Sequence, residues 1–262
     1  MTYLSSMKIV VFGDSFQQNK EGLVDPSSYE GMLTHHYDCQ VEFLGDAGSG
    51  PWHAFFKCKK YLEDSKDNLP DVIIFGWSEA CRNLYHPNYS ALNGAQCRMN
   101  YKSTSINPEE REVYKAGLDY YRFLSSNKKE NYELKSLMMY FDNFTLNYPD
   151  IKFINLHNFS WLERLKWWDM YDKLGPRQLT YHHTFKNSAE IRPALIWLSR
   201  RDGWPLNDRM ENENRNCHLT PAMHRLLADV IISAIDYYSP GKIFEIEPRL
   251  MDKQNLQKMV IK

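Results

Sequence analysis

Four apolar residues in succession, Ile9 to Phe12, lack the alternation of a half-buried strand, and they run straight into Gly13, Asp14 and Ser15. Such a run predicts a strand buried on both faces. Residues 41–45 (VEFLG) and 71–76 (DVIIFG) read the same way, and a fourth strand, 151–157 (IKFINLH), follows the turn signal Tyr148-Pro149-Asp150. Between the first three strands lie helical stretches over 27–37 and 52–64. In the second, Phe55, Phe56, Lys59, Tyr61 and Leu62 approach a repeat of about 3.6 residues. Strands alternating with helices at this spacing predict βαβ units and a parallel sheet.

The interval between the third and fourth strands exceeds what one crossover helix needs. Residues 108–126 open with Pro and acidic residues, a helix start, and 129–148 give a second helix with Leu134, Leu137, Met138 and Phe141 on one side. Residues 83–107 and 174–216 read as long excursions, which inside a compact domain are usually functional loops or disorder. Within the later one, 192–200 (RPALIWLSR) supplies a short fifth strand or a helix, and the aromatic segment 161–174 reads as a buried amphipathic helix. The last helix is the clearest. Thr220 caps it and Pro221 takes the first position, with Met223, Leu226, Leu227, Val230, Ile231, Ala234 and Ile235 forming one apolar stripe that ends before Pro240-Gly241. The pattern is that of one domain over 1–262, with the two excursions as insertions.

Composition narrows the function classes. The 262 residues are 43% apolar and 25% charged with a formal net charge of −1, so no global field draws the chain to nucleic acid or to a membrane surface. No run of apolar residues is long enough for a transmembrane helix, and the N-terminus lacks the pattern of a signal peptide. The 5 cysteines are scattered without CxxC spacing, which points to a reducing, cytoplasmic setting (a host cytoplasm or a virion if the chain is viral). His35-His36 and His182-His183 are adjacent pairs that cannot chelate as i, i+4 pairs do, so no metal is expected, and the serine chemistry read below implies no cofactor.

Candidate chemistry gathers at strand ends. The Gly13-Asp14-Ser15 turn would hold a hydroxyl at the carboxyl edge of the sheet, where open α/β folds bind ligands, although these residue types also make ordinary strand-ending turns. A serine nucleophile needs a base and donors for the developing oxyanion. His218, just before the last helix, is the base candidate, with a capping or packing role as its alternative; His224 lies a turn further on and reads as a packing or exposed residue. The glycine-rich turn over 43–50 follows the second strand, and 75–82 (FGWSEACR) follows the third with Ser78 and Arg82. Trp77, beside the candidate donor Ser78, is equally a pocket residue or a core one, and Arg82 either pairs with Glu79 or binds a substrate carboxylate.

These four blocks, in this order, resemble the SGNH (GDSL-type) hydrolase family, over residues 8–238. The resemblance implies a flavodoxin-like three-layer α/β/α fold with a mostly parallel sheet, and ester hydrolysis through an acyl-serine. Ser15 would be the nucleophile, His218 the general base, and the N–H groups of Ser15 and Gly48 oxyanion donors, with Asp14, Trp77 and Arg82 around the substrate. The chain departs from the family pattern twice. Ser78 stands where the third block normally has Asn, though a hydroxyl can still donate one hydrogen bond. Arg215 stands where an Asp usually orients the histidine; Glu213, Asn216, a backbone carbonyl or a more distant Asp208 or Glu211 are the alternatives. The GWSE form followed by Arg82 resembles SGNH-like proteins of tailed phages. The expectation is a serine esterase acting on a small acyl ester, an O-acetyl carbohydrate by preference, and its rival is an SGNH-like structural or binding component with little catalysis.

Overall fold

The computed structural model describes residues 7–14, 26, 28–46, 48–78, 82, 84–86, 88–89, 92, 94–157, 184–192 and 221–245. Among them are strands Lys8–Phe12 (β1), Gln40–Phe43 (β2), Val72–Trp77 (β3), Lys152–His157 (β4), Ala189–Arg192 (β5) and Ile243–Glu245 (β6). Helices are Tyr29–Tyr37 (α1), Pro51–Asp64 (α2), Gly94–Lys102 (α3), Pro108–Asp119 (α4), Asn127–Phe144 (α5) and Pro221–Asp236 (α6). The strands form one sheet in the order β2-β1-β3-β4-β5-β6, every pair parallel. That order is the flavodoxin-like doubly wound arrangement, extended by one strand.

Alternate residues of each strand serve opposite faces, which is why the strands read as unbroken apolar runs. Ile9, Val11, Val72, Ile74, Ile154 and Leu156 pack with Leu33 of α1 and with Leu227, Ile231 and Ile235 of α6. Val10, Phe12, Ile73, Phe75 and Phe153 pack on the other side with Phe55 and Leu62 of α2 and with Leu137 and Phe141 of α5. The result is the expected three-layer α/β/α architecture. α4 starts where the sequence predicts, with Pro108 in the first turn and a reciprocal cap between Asn107 and Glu110.

Differences from the sequence expectation have local causes. The excursion over 83–107 contains α3, whose sequence GAQCRMNYK carries little apolar periodicity. α4 gives way at Tyr120 to a π-helical turn, Tyr120–Leu124, before α5. β5 ends at Arg192, the first residue of the segment 192–200 expected to supply a short strand or a helix, whose remaining residues lie outside the described ones, and β6 follows Pro240-Gly241 without having been anticipated. On α2 the buried stripe is Ala54, Phe55, Cys58 and Leu62, while Phe56 is 37% exposed. The expected helix over 161–174, most of the second excursion and the Thr220 cap lie outside the described residues.

Candidate active site

The order of strands changes direction between β1 and β3, and ligands of open α/β sheets bind at such a switch point, beyond the carboxyl ends. Three loops meet there. The first is Gly13-Asp14, the continuation of β1. The Gly13 carbonyl accepts from the Asp46 N–H at 3.1 Å and from the Ser49 hydroxyl at 3.0 Å, so the glycine turn after β2 is fastened onto it. Within that turn Gly48 takes φ +75°, a conformation L residues rarely adopt. Gly50, the cap of α2, lies so close to the third loop that a Cβ there would sit 1.7 Å from the Arg82 carbonyl oxygen.

Asp14 is at the centre. Its carboxylate has 0% exposure, accepts from the Ser78 hydroxyl at 2.9 Å and lies 3.6 Å from Arg82 Nη1. A buried carboxylate is tolerated when it is hydrogen-bonded and paired, and Ser78 and Arg82 reach it from beyond β3. Arg82 thus faces Asp14; Glu79, its expected partner, is outside the described residues.

Two of the expected site residues, Ser78 and Trp77, are among the described ones. Ser78 has one hydroxyl proton, and it is directed to Asp14, so the residue ties the first loop to the third rather than pointing a donor at an oxyanion. Trp77 lies in the core, 1% exposed, against Phe75, Phe141 and Phe185, with its indole N–H donating to Asn155 Oδ1 at 2.9 Å. Its side chain belongs to the face below the site because β3 alternates there, Ser78 being the next residue along. Ser78→Ala is therefore expected to cost about 1.5–3 kcal/mol of stability, the worth of a hydrogen bond to a charged group. Urea unfolding measures it.

Ser15, His218 and Glu213 are outside the described residues. The elements flanking them are described. Asp14 immediately precedes Ser15, and α6 begins three positions after His218. The last turn of α6 is held at the amino edge, where Lys152 at the start of β4 donates to the Ile235 carbonyl at 3.0 Å. A helix of 16 residues is about 24 Å long, so Pro221 stands toward the carboxyl edge. His224, in its first two turns, accepts from the Tyr29 N–H through Nδ1 at 3.2 Å and so joins α6 to α1, the packing alternative of the two expected for it.

Two histidine–carboxylate pairs at this edge were not foreseen. His53, on the first turn of α2, meets Asp46 at 2.9 Å, and Lys57 joins the same oxygen at 2.8 Å. The hydrogen bond from His53, opposed by burial and helped by Lys57, holds the Asp46 carboxyl below its ordinary range. His157 at the end of β4 meets Glu190 of β5 at 2.9 Å, and Arg192 grips Glu190 through Nε and Nη2 at 2.8 and 2.9 Å. Only the histidine closing β4 hinted at the second pair.

Burial pushes the Glu190 carboxyl up, but the bond and charge of His157 and the Arg192 guanidinium outweigh it and bring it down to about 2. A carboxyl lowered on folding adds stability that is complete above its unfolded pKa and is lost as pH falls through the folded one. The Glu190 contribution is expected to be present above about pH 4.5 and to disappear toward pH 2, with a size on the order of 3 kcal/mol. Urea midpoints across this range check it, since Glu190→Gln should flatten the acid limb.

Among the described residues no group of three or more His, Cys, Asp or Glu is placed to hold a metal ion, and no helix is long and apolar enough to cross a membrane.

No protein-family model and no curated protein matches the sequence. The fold is similar to solved esterases. The psychrotrophic esterase EstA from Pseudoalteromonas sp., solved inhibited by monoethylphosphonate, is 14% identical, with 88% of this chain and 97% of that one covered and a TM-score of 0.41. AlinE4, an SGNH-hydrolase family esterase, is 16% identical over 90% of this chain and 97% of its own, with a TM-score of 0.38. A Corynascus thermopiles (Myceliophthora fergusii) carbohydrate esterase family 2 enzyme with its carbohydrate-binding domain is 12% identical over 88% of this chain and 66% of its own, with a TM-score of 0.40. Likeness at this level concerns the fold alone.

Proposed function

We propose that this chain is a serine esterase with Ser15 as nucleophile and His218 as general base. The observation that carries the reading is the switch-point cluster: Asp14, the residue before Ser15, is buried and bound from the third loop, while the glycine turn is fastened to Gly13. Such anchoring keeps the chain leading into Ser15 rigid, as a preorganised site requires.

Ser15 Oγ attacks the ester carbonyl carbon and its proton passes to the His218 imidazole. The oxyanion that forms accepts hydrogen bonds from the Ser15 and Gly48 N–H groups. As the tetrahedral carbon collapses, the C–O bond to the alcohol breaks and His218 returns the proton to the departing oxygen. Water then attacks the acyl-serine, giving its proton to His218, and Ser15 leaves with that proton as the carboxylic acid forms. Glu213 orients His218, or Asn216 or a backbone carbonyl does so.

An O-acetylated carbohydrate is the preferred substrate. Its support is an aromatic shelf beside the glycine turn, where Trp52 stacks on Phe56 at 5.8 Å and Phe56 meets the 43% exposed Tyr85 at 4.6 Å. The buried thiols of Cys39, Cys58 and Cys97 accord with a reducing compartment.

Labelling with a fluorophosphonate, followed by peptide mapping, tests the reading. An adduct on Ser15, with release of acetate from acetylated sugars ahead of longer acyl esters, is the expected result. Well-folded protein that takes no label is instead a structural or binding module.

A further inference from the structure

Asp46 is held through all three of its polar functions. Its N–H donates to the Gly13 carbonyl at 3.1 Å and its own carbonyl accepts from the Ser49 N–H at 3.0 Å, closing the turn around Gly48. Its carboxylate takes His53 Nε2 at 2.9 Å and Lys57 Nζ at 2.8 Å on the same oxygen. His53 and Lys57 are four residues apart on α2 and so share one helix face. One residue thereby fastens the glycine turn to β1 by its backbone and to α2 by its side chain.

The His53 ring is fixed by this contact. An ionised carboxylate only accepts, so Nε2 carries the hydrogen directed at Asp46. The other nitrogen, Nδ1, is buried and has no hydrogen-bond partner among the described residues. A buried polar atom without a partner costs stability, and the Nε2 contact with Asp46 offsets that cost. Because Nδ1 is closed off from solvent, that nitrogen is not placed to take a proton from a substrate. The ring also lies beside Tyr85, with 6.3 Å between centroids, and its hydrogen bond to the site runs through Asp46.

We infer that the Asp46–His53 pair is a latch that sets the position of the Gly48 N–H, making His53 a positioning residue of the esterase centre. The inference rests on the reading of Ser15 as nucleophile and Gly48 as oxyanion donor. Releasing the latch frees a turn whose Gly48 already sits at φ +75°, so the donor drifts while Trp52 and Phe56 of the shelf stay on α2. The rate of the acyl-transfer step falls and substrate binding does not.

The test uses the full chain with His53→Ala and His53→Gln. Glutamine offers an amide N–H to Asp46 in place of the imidazole one. With p-nitrophenyl acetate, His53→Ala is expected to lower kcat about 10–100-fold, the scale of a displacement near 1 Å at a reacting centre. KM should stay within about twofold, and His53→Gln should recover most of the loss, a recovery that a purely structural defect would not show. Amide hydrogen exchange supplies a readout independent of turnover: residues 46–50 should exchange about tenfold faster in His53→Ala, with α5 unchanged. Exchange equal to wild type over 46–50 overturns the latch whatever the kinetics, and a kcat loss that glutamine does not repair overturns the positioning role. Wild-type protein that neither labels nor hydrolyses would overturn the esterase reading instead, and the exchange comparison would still decide on the latch.

Discussion

Ser15→Ala is expected to lower ester turnover by roughly 10⁴–10⁶-fold and to abolish fluorophosphonate labelling, without loss of fold. The magnitude follows from the chemistry. Without Oγ no acyl-enzyme forms, and what remains is the modest assistance of oriented donors to a water attack. His218→Ala should fall as far, because an unactivated hydroxyl is a weak nucleophile near neutral pH. The double substitution should then cost little more than either single one, since the two residues act as a unit. Steady-state kinetics on the purified variants, with circular dichroism as the control for folding, provide the measurement. A Ser15→Ala protein retaining more than about a tenth of wild-type turnover would sink the serine mechanism.

Gly50→Ala carries the second large effect, and here the cause is purely steric. The added Cβ would lie 1.7 Å from the Arg82 carbonyl oxygen and 2.8 Å from its carbon, both backbone atoms that no rotamer change can move aside. Gly50 itself has ordinary extended dihedrals, φ −94° and ψ 169°, so its own torsions do not exclude alanine. The loops after β2 and β3 would have to separate, at about 3 kcal/mol or more, which at this chain length lowers Tm by roughly 6–12 °C. The Asp14–Arg82 contact would separate with them, so turnover should fall more than stability alone explains. Gly94→Ala is the matched control. The atoms nearest a Cβ there belong to the Tyr121 side chain, at 3.4 Å and beyond, an ordinary contact distance, and the substitution should be nearly neutral. Differential scanning calorimetry on the two variants separates the cases.

Much of the fold was legible because its signals are local. The unbroken apolar runs at Ile9–Phe12 and in β3 report burial on both faces, and that requirement already implies a layer of helices on each side of the sheet. The Pro108 start of α4 and the apolar stripe of α6 are readable because capping and helical periodicity act between residues a few positions apart. α3 escaped notice for the same reason, since its polar sequence carries no such stripe. The Gly-Asp-Ser turn and the glycine-rich turn also announce themselves locally, as backbone shapes.

The partners inside the site do not. Asp14 and Ser78 are 64 residues apart, and Glu190 and His157 are 33. They meet because the parallel pairing places β3 beside β1 and β5 beside β4, a matter of strand order and register that no local pattern carries. One position of register also decides the fate of neighbours. Ser78, next to Trp77, faces Asp14 at the open edge, whereas Trp77 turns into the aromatic core. By itself the sequence determined the class of fold and the edge at which chemistry is to be sought, because burial and turn formation act on a few adjacent residues. Which side chains hold one another at that edge, Ser78 on Asp14 and His53 on Asp46, only the tertiary structure decided, because such pairs exist only after distant strands and helices have packed.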